Sequence, residues 1–164
     1  MQINLKAVFL DTLPEIRIEH TFVLDEEVFG ENSENSTVKV LGFAENKFGA
    51  VILNFKVSFK RVSPCDRCLE KTEKVYSLEF SHQLKDASEE TDENTEALII
   101  NDYTLDLEET VVSDILLELP MLYFCSDDCK GLCSGCGKNL NDGACNCTSG
   151  ELDPRLSKLK EFLK

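Results

Sequence analysis

Tryptophan is absent from this 164-residue chain, histidine occurs only twice, and no apolar run approaches the ~20 residues that cross a bilayer. A transmembrane span is therefore not expected. The N-terminal MQINLKAVFLDTLPEIR lacks a basic segment followed by a continuous apolar stretch, and it carries Asp11 and Glu15 early. No secretory signal is expected either. These absences point to a reducing cytoplasm, where metal binding by cysteine outranks disulfide formation. His20 and His82 are the only imidazoles available as bases, and both fall on the apolar faces of expected strands, where a satisfied core histidine is the ordinary case. No phosphate-cradling glycine loop and no nucleophile elbow is present. Neither an enzyme nor a small-molecule substrate is expected.

Basic charge is missing where acidic charge is dense. From Asp86 to Cys129 there are 14 acidic residues and no Lys or Arg, while the rest of the chain holds 17 acidic and 17 basic residues. That one segment accounts for the whole net charge of −14. It reads either as a solvated loop and helix face or as a docking surface for a basic partner. Bulk nucleic-acid binding is disfavoured, because its affinity rests largely on Lys and Arg neutralising phosphates.

What is present is enough for one compact core with a small appended module, since 42% of the residues are hydrophobic. Val51, Leu53, Phe55, Val57 and Phe59 alternate with Asn54, Lys56, Ser58 and Lys60, the cleanest period-2 pattern in the chain. Tyr76, Leu78, Phe80 and Leu84 repeat it in the next segment, and Ile16, Ile18, Phe22 and Leu24 share one face earlier. Shorter strands are expected at 3–9, 37–43 and 98–100, with loops at 31–36 and 86–96. Successive strands joined by short polar turns imply a curved antiparallel sheet.

One helix is well signalled. Asp106 and Glu109 have capping-box spacing, Leu107, Val111, Ile115 and Leu119 recur every fourth residue, and Pro120 ends the run. Val112 and Leu116 would widen its apolar face, leaving Glu108, Asp114 and Glu118 toward water. A second, short helix is expected from Asp153-Pro154, an N-cap followed by Pro at N1, through Leu156, Leu159 and Leu163.

Six of the eight cysteines crowd into CSDDCKGLCSGCGKNLNDGACNC, from Cys125 to Cys147. Cys133-Ser-Gly-Cys136-Gly137 has the form of a metal knuckle: two intervening residues let both sulfurs reach one ion, and the Gly lets the backbone fold back toward them. Cys145 and Cys147 supply a second pair nearby and complete a four-thiolate zinc set. Cys65-Asp-Arg-Cys68 sits between the two best strands, at a hairpin tip. Grouping Cys65 and Cys68 with Cys125 and Cys129 would make a second four-cysteine site, a pairing favoured only by the arithmetic of eight cysteines with no remainder. Four sulfurs per ion close the coordination sphere, which suits structure rather than catalysis.

Three other readings of these cysteines are disfavoured. Cys129-x3-Cys133-x2-Cys136 has the spacing of radical S-adenosylmethionine enzymes, but that motif belongs to a much larger α/β barrel. Pro64-Cys65-Asp-Arg-Cys68 matches half of the zinc deaminase signature, yet His20-Thr21-Phe22 has no Glu to shuttle protons. A thioredoxin-like pair would sit at a helix N-terminus in a βαβ unit, not between antiparallel strands.

The segment SPCDRCLEK, then the acidic helix DLEETVVSDILLELP, then CKGLCSGCGKNLN with GACNC and DPRLSKLKEFL, resembles the YceD family in order and spacing. That family carries the name large ribosomal RNA subunit accumulation protein. The resemblance spans residues 64–164, and the strand-rich first third carries no motif. It implies a bacterial cytoplasmic protein that supports accumulation of 23S ribosomal RNA and assembly of the large ribosomal subunit, with no enzymatic activity. Family members differ in the cysteine-rich tail, which implies that the shared role does not require all eight cysteines.

The expected architecture is α+β: a curved antiparallel, barrel-like β-sheet with one packed amphipathic helix over residues 1–120, followed by a cysteine-rich zinc module with a short C-terminal helix over 121–164. The expected partner is a basic ribosomal protein or large-subunit assembly factor, or an rRNA-containing particle. The alternative is a zinc-knuckle protein that binds RNA directly through the tail residues Arg155, Lys158, Lys160 and Lys164.

Overall fold

The computed structural model describes residues 1–29, 33–88 and 97–147. The expected C-terminal helix, and most of the loop expected at 86–96, lie outside those residues. No helix among the described residues is long and apolar enough to cross a membrane. The chain divides into two compact units, one comprising Met1–Ser63 and Thr72–Met121, the other Pro64–Lys71 with the chain from Leu122 onward.

The first unit is a five-stranded sheet in the order β2-β3-β4-β5-β6, formed by β2 (Glu15–Leu24), β3 (Ser36–Lys47), β4 (Ala50–Pro64), β5 (Lys71–Asp86) and β6 (Ala97–Ile100). A separate antiparallel pair joins β1 (Gln2–Asn4) to β7 (Thr104–Asp106). The expected alternation places one face inward: Ile18 from β2, Val38, Val40 and Ala44 from β3, and Val51, Leu53, Phe55, Val57 and Phe59 from β4 are all buried. β3 and β4 meet with Lys47 opposite Ala50, a two-residue connection. Its central residues Phe48 and Gly49 both have positive φ, 54° and 85°, which suits the right-handed twist of a hairpin.

The sheet departs from the expected all-antiparallel pattern at its edge. β6 pairs parallel to β5, from Gln83 opposite Ala97 to Asp86 opposite Ile100. Ten residues lie between the two strands in the sequence, more than the two-residue connection of a tight antiparallel hairpin. A second departure is at the N-terminus, where a strand was expected over 3–9. Only Gln2–Asn4 are extended; α1 (Lys6–Phe9) is a single helical turn. Leu5 and Val8 are three residues apart and both fully buried, a spacing that one helical turn satisfies and a strand does not. The Asn4 side chain accepts from the Lys6 N–H at 3.0 Å and starts the turn.

α2 (Leu107–Glu118) follows β7 and packs on the inner face of the sheet through Leu107, Val111 and Ile115. The Asp106 carboxylate caps it by accepting from the Glu109 N–H at 3.3 Å. Three expectations for its faces are corrected. Leu116 is 51% exposed, and Asp114 is buried at 8%. Asp114 lies three residues after Val111 and one before Ile115, so helical geometry turns it inward with them. His82 Nε2, from β5, meets its Oδ2 at 2.7 Å. Glu108 is half-buried rather than open to water, with His20 Nε2 at 2.7 Å and the N-terminal ammonium at 3.3 Å from its Oε1. Both histidines are thus satisfied on the inner face, and each holds a carboxylate of α2 against a strand. Glu118 does face solvent.

Candidate metal centre

All eight cysteines are free thiols in the second unit, and they fall into two groups of four. Cys65, Cys68, Cys125 and Cys129 form one group; Cys133, Cys136, Cys145 and Cys147 form the other. Within each group the sulfurs all lie within 4.8 Å of one another. Four sulfurs ~2.3 Å from a central zinc ion would stand about 3.8 Å apart along each tetrahedral edge. The separations Cys65–Cys129 and Cys68–Cys125 are 3.8 and 3.7 Å, and Cys133–Cys145 is 3.3 Å. These distances fit a shared ion and are far from the ~2.05 Å of a disulfide. Cys129 belongs to a different group from Cys133 and Cys136, so the three-cysteine spacing weighed above does not converge on one site.

The buried centre is assembled by the two residues between its first cysteines. Cys65 and Cys68 bracket a turn in which the Arg67 N–H points at Cys65 Sγ (3.4 Å) and the Leu69 N–H bonds to the Cys65 carbonyl (2.9 Å). Asp66 captures the distant segment twice: its N–H donates to the Tyr123 carbonyl at 2.8 Å, and its carboxylate accepts from the Tyr123 N–H at 2.6 Å. Arg67 donates to the carbonyls of Asp127 and Cys129, both at 3.1 Å, and its guanidinium lies 4.0 Å from the centroid of the Phe124 ring. A stacked guanidinium that also bonds two carbonyls is an exacting contact that Lys could not reproduce. With the segment held, the Cys125 N–H reaches Cys65 Sγ at 3.3 Å. Cys65, Cys68 and Cys129 are buried together, with Phe124 and Leu132 packed against them.

The exposed centre is built almost wholly from local chain. Its knuckle closes with Gly135 N–H on Cys133 Sγ (3.4 Å), Gly137 N–H on the Cys133 carbonyl (2.8 Å) and Cys133 N–H on the Lys138 carbonyl (2.8 Å). Gly137 has φ of +72°, a conformation that favours glycine. Lys138 Nζ donates to the Ala144 carbonyl at 3.1 Å and draws the second cysteine pair in. Cys136 and Cys147 are exposed, whereas Cys133 and Cys145 are half-buried.

The thiol electrostatics suit a cation in each group. Burial pushes the Cys65 thiol up, but the N–H groups of Cys68, Cys125 and Arg67 outweigh it and bring it down to about 6. The N–H groups of Cys136 and Gly135 bring Cys133 down to about 6 as well. Cys129 is lowered chiefly by the side-chain amide of Asn141. Other members resist ionisation. The Glu70 N–H lowers Cys68, but burial and the sulfurs of Cys65, Cys125 and Cys129 prevail and push it up to about 12. The Cys136 and Cys133 sulfurs, with burial, push Cys147 up to about 12. Crowded thiolates repel one another, and a positive ion among the sulfurs would offset that repulsion in either group. Nothing in CxxC spacing marks Asp66, Arg67 or Asn141; only the fold puts them against ligand sulfurs and their loops.

A model of the family described as large ribosomal RNA subunit accumulation protein YceD matches residues 53–163. An uncharacterized protein of Mycobacterium tuberculosis (strain H37Rv) is 34% identical over 116 residues, covering 69% of this chain and 56% of that protein. The protein YlbN of Bacillus subtilis (strain 168) is 33% identical over 132 residues, covering 79% of this chain and 76% of that protein. The chain therefore spans little more than half the length of the mycobacterial relative. No solved structure matches it. With the hairpin-tip cysteines, α2 and all three later cysteine pairs inside the matched residues, the chain belongs to the YceD family.

Proposed function

We propose that this protein is a non-catalytic cytoplasmic factor that supports accumulation of 23S ribosomal RNA and assembly of the large ribosomal subunit, with two structural zinc ions held by its eight cysteines. The observation that carries the metal half is the pair of closed four-sulfur groups. All-thiolate tetrahedral sites suit Zn²⁺ or iron–sulfur chemistry, and a site with four protein sulfurs leaves no position for substrate. The ribosomal half is supported by the family whose description the match at residues 53–163 carries.

The partner on this reading is a basic ribosomal protein or assembly factor, met by the acidic segment of the first unit. Glu109 and Glu118 are the exposed carboxylates of α2, whereas Asp114 and Glu108 are engaged with histidines. The surface test therefore uses Glu109→Gln with Glu118→Gln and leaves the other two in place. In cells depleted of the native protein, 23S rRNA relative to 16S should fall and wild-type protein should restore it. Unchanged rRNA after depletion would sink the ribosomal reading. If the double variant restores rRNA fully, the acidic face of α2 is a solubility device. Direct RNA binding is separated by titrating salt against binding to rRNA fragments, since phosphate contacts give a steep dependence. Metal content by mass spectrometry should be close to two zinc ions per chain, and an iron–sulfur absorption band would overturn zinc.

A further inference from the structure

We propose that Asn141 couples the two four-thiol centres, so that filling the exposed one raises the metal affinity of the buried one. The inference rests on the zinc reading above and extends it to a relation between the sites. Asn141 lies in the eight-residue segment between Cys136 and Cys145, both of which belong to the exposed centre. Its side chain nevertheless serves the other centre. Nδ2 donates to Cys129 Sγ at 3.3 Å, and Oδ1 accepts from the Lys130 N–H at 2.8 Å. One amide thus clamps a ligand sulfur of the buried centre and the peptide that follows it.

The segment has little apolar surface to order it. Leu140 and Ala144 are its only apolar side chains, so most of the free energy that fixes it must come from metal on Cys133, Cys136, Cys145 and Cys147. Once the loop is closed, the Asn141 N–H donates to the Asn139 side chain (3.0 Å) and the Leu140 N–H to the Gly131 carbonyl (2.9 Å). The amide then reaches Cys129 without further ordering. An N–H donated to a metal-bound thiolate stabilises its charge, and loss of such an outer contact typically changes metal affinity by about 10–100-fold. By linkage the effect is reciprocal: metal in the buried centre must favour the exposed one by the same factor. The Arg67 carbonyl, which accepts from the Leu132 N–H at 3.1 Å, also ties the knuckle to the hairpin tip. A double-mutant cycle isolates the share that passes through Asn141.

Full-length apo protein is titrated with Co²⁺ under anaerobic conditions against a competing chelator, and the thiolate-to-cobalt charge-transfer band is read. Four chains are compared: wild type, Asn141→Asp, Cys133→Ser with Cys136→Ser, and the three substitutions combined. Aspartate keeps the acceptor for the Lys130 N–H and removes the donor to Cys129. Asn141→Asp should weaken the buried centre by about 10–100-fold and red-shift its charge-transfer band. Disabling the exposed centre should produce a comparable loss, and the combined chain should lose no more than either. Unchanged affinity in Asn141→Asp, or losses that multiply in the combined chain, overturn the coupling. A wild-type measurement guards against a variant that fails to fold. With both centres filled by ¹¹³Cd, scalar coupling from the Asn141 side-chain amide proton to one cadmium should be visible, and its absence overturns the contact. Wild-type protein that binds no Co²⁺ removes the zinc reading itself; two bound ions with independent affinities remove only the coupling.

Discussion

His82 Nε2 in β5 lies 2.7 Å from Asp114 Oδ2 in α2, and the Asp114 side chain is only 11% exposed. A carboxylate on the buried side of an amphipathic helix is tolerated because a strand supplies its partner. Truncating His82→Ala leaves that carboxylate buried and unpaired, which should cost about 1–3 kcal/mol in urea denaturation. Replacing both groups by apolar residues, His82→Phe with Asp114→Leu, should cost clearly less than the sum of the single changes. Additive losses would show that the pair is not an energetic unit.

Asp86, at the end of β5, makes stability depend on pH. The Ser88 hydroxyl donates to its Oδ1 at 2.5 Å, and the N–H groups of Tyr103 (2.8 Å) and Ser88 (3.1 Å) add to it. Together they hold the carboxyl below its ordinary value, led by the Ser88 hydroxyl, although burial opposes them. A depressed carboxyl stabilises the fold fully above its unfolded pKa of about 4, and that contribution is lost as pH falls through the lower folded value. Wild-type stability should therefore drop more steeply below pH ~4 than that of Asp86→Asn. Parallel curves from pH 6 to 2 would remove Asp86 as a contributor.

Gly42 in β3 faces Phe55 in β4 across the sheet. A Cβ at position 42 would lie 2.6 Å from the Phe55 Cβ and closer still to the Asn54 carbonyl oxygen. These are backbone and strand-bound atoms that cannot swing aside, and Phe55 is itself fixed by the Phe80 ring at 5.3 Å. Gly42→Ala should destabilise by about 1–3 kcal/mol despite alanine's better strand propensity. A thermal midpoint equal to wild type would mean the strands can part without loss.

Chelation should act on the second unit selectively. The described residues from Leu122 onward contain few large apolar side chains, and Tyr123 is the one large side chain there that is fully buried. The first unit buries Val40, Leu53, Phe55, Val57, Leu84 and Ile115 without help from cysteine. Hydrogen exchange after metal removal should show lost protection at the amides of Cys129, Cys133, Gly137 and Leu140, with β3 and β4 unchanged. Equal loss throughout would make the two units one cooperative structure.

Local pattern in the chain was enough for the strands at 16–24, 51–59 and 76–84, for α2 with its Asp106 cap, and for the group Cys133, Cys136, Cys145 and Cys147. Each of these is a short-range relation, in which side-chain periodicity or ligand spacing is set by a few neighbouring torsions. The tertiary structure decided what periodicity cannot carry. It turned Asp114 inward, because a buried carboxylate depends on a histidine 32 positions away. It made β6 parallel and folded Lys6–Phe9 into a helical turn, since strand direction and the burial of Leu5 and Val8 depend on neighbours distant in sequence. Above all, it joined Cys65 and Cys68 to Cys125 and Cys129 across 57 positions or more, through Asp66 on Tyr123 and Arg67 on Phe124, Asp127 and Cys129. Spacing within the chain says which sulfurs can reach one ion locally, but which distant loops meet is decided by the contacts that hold them.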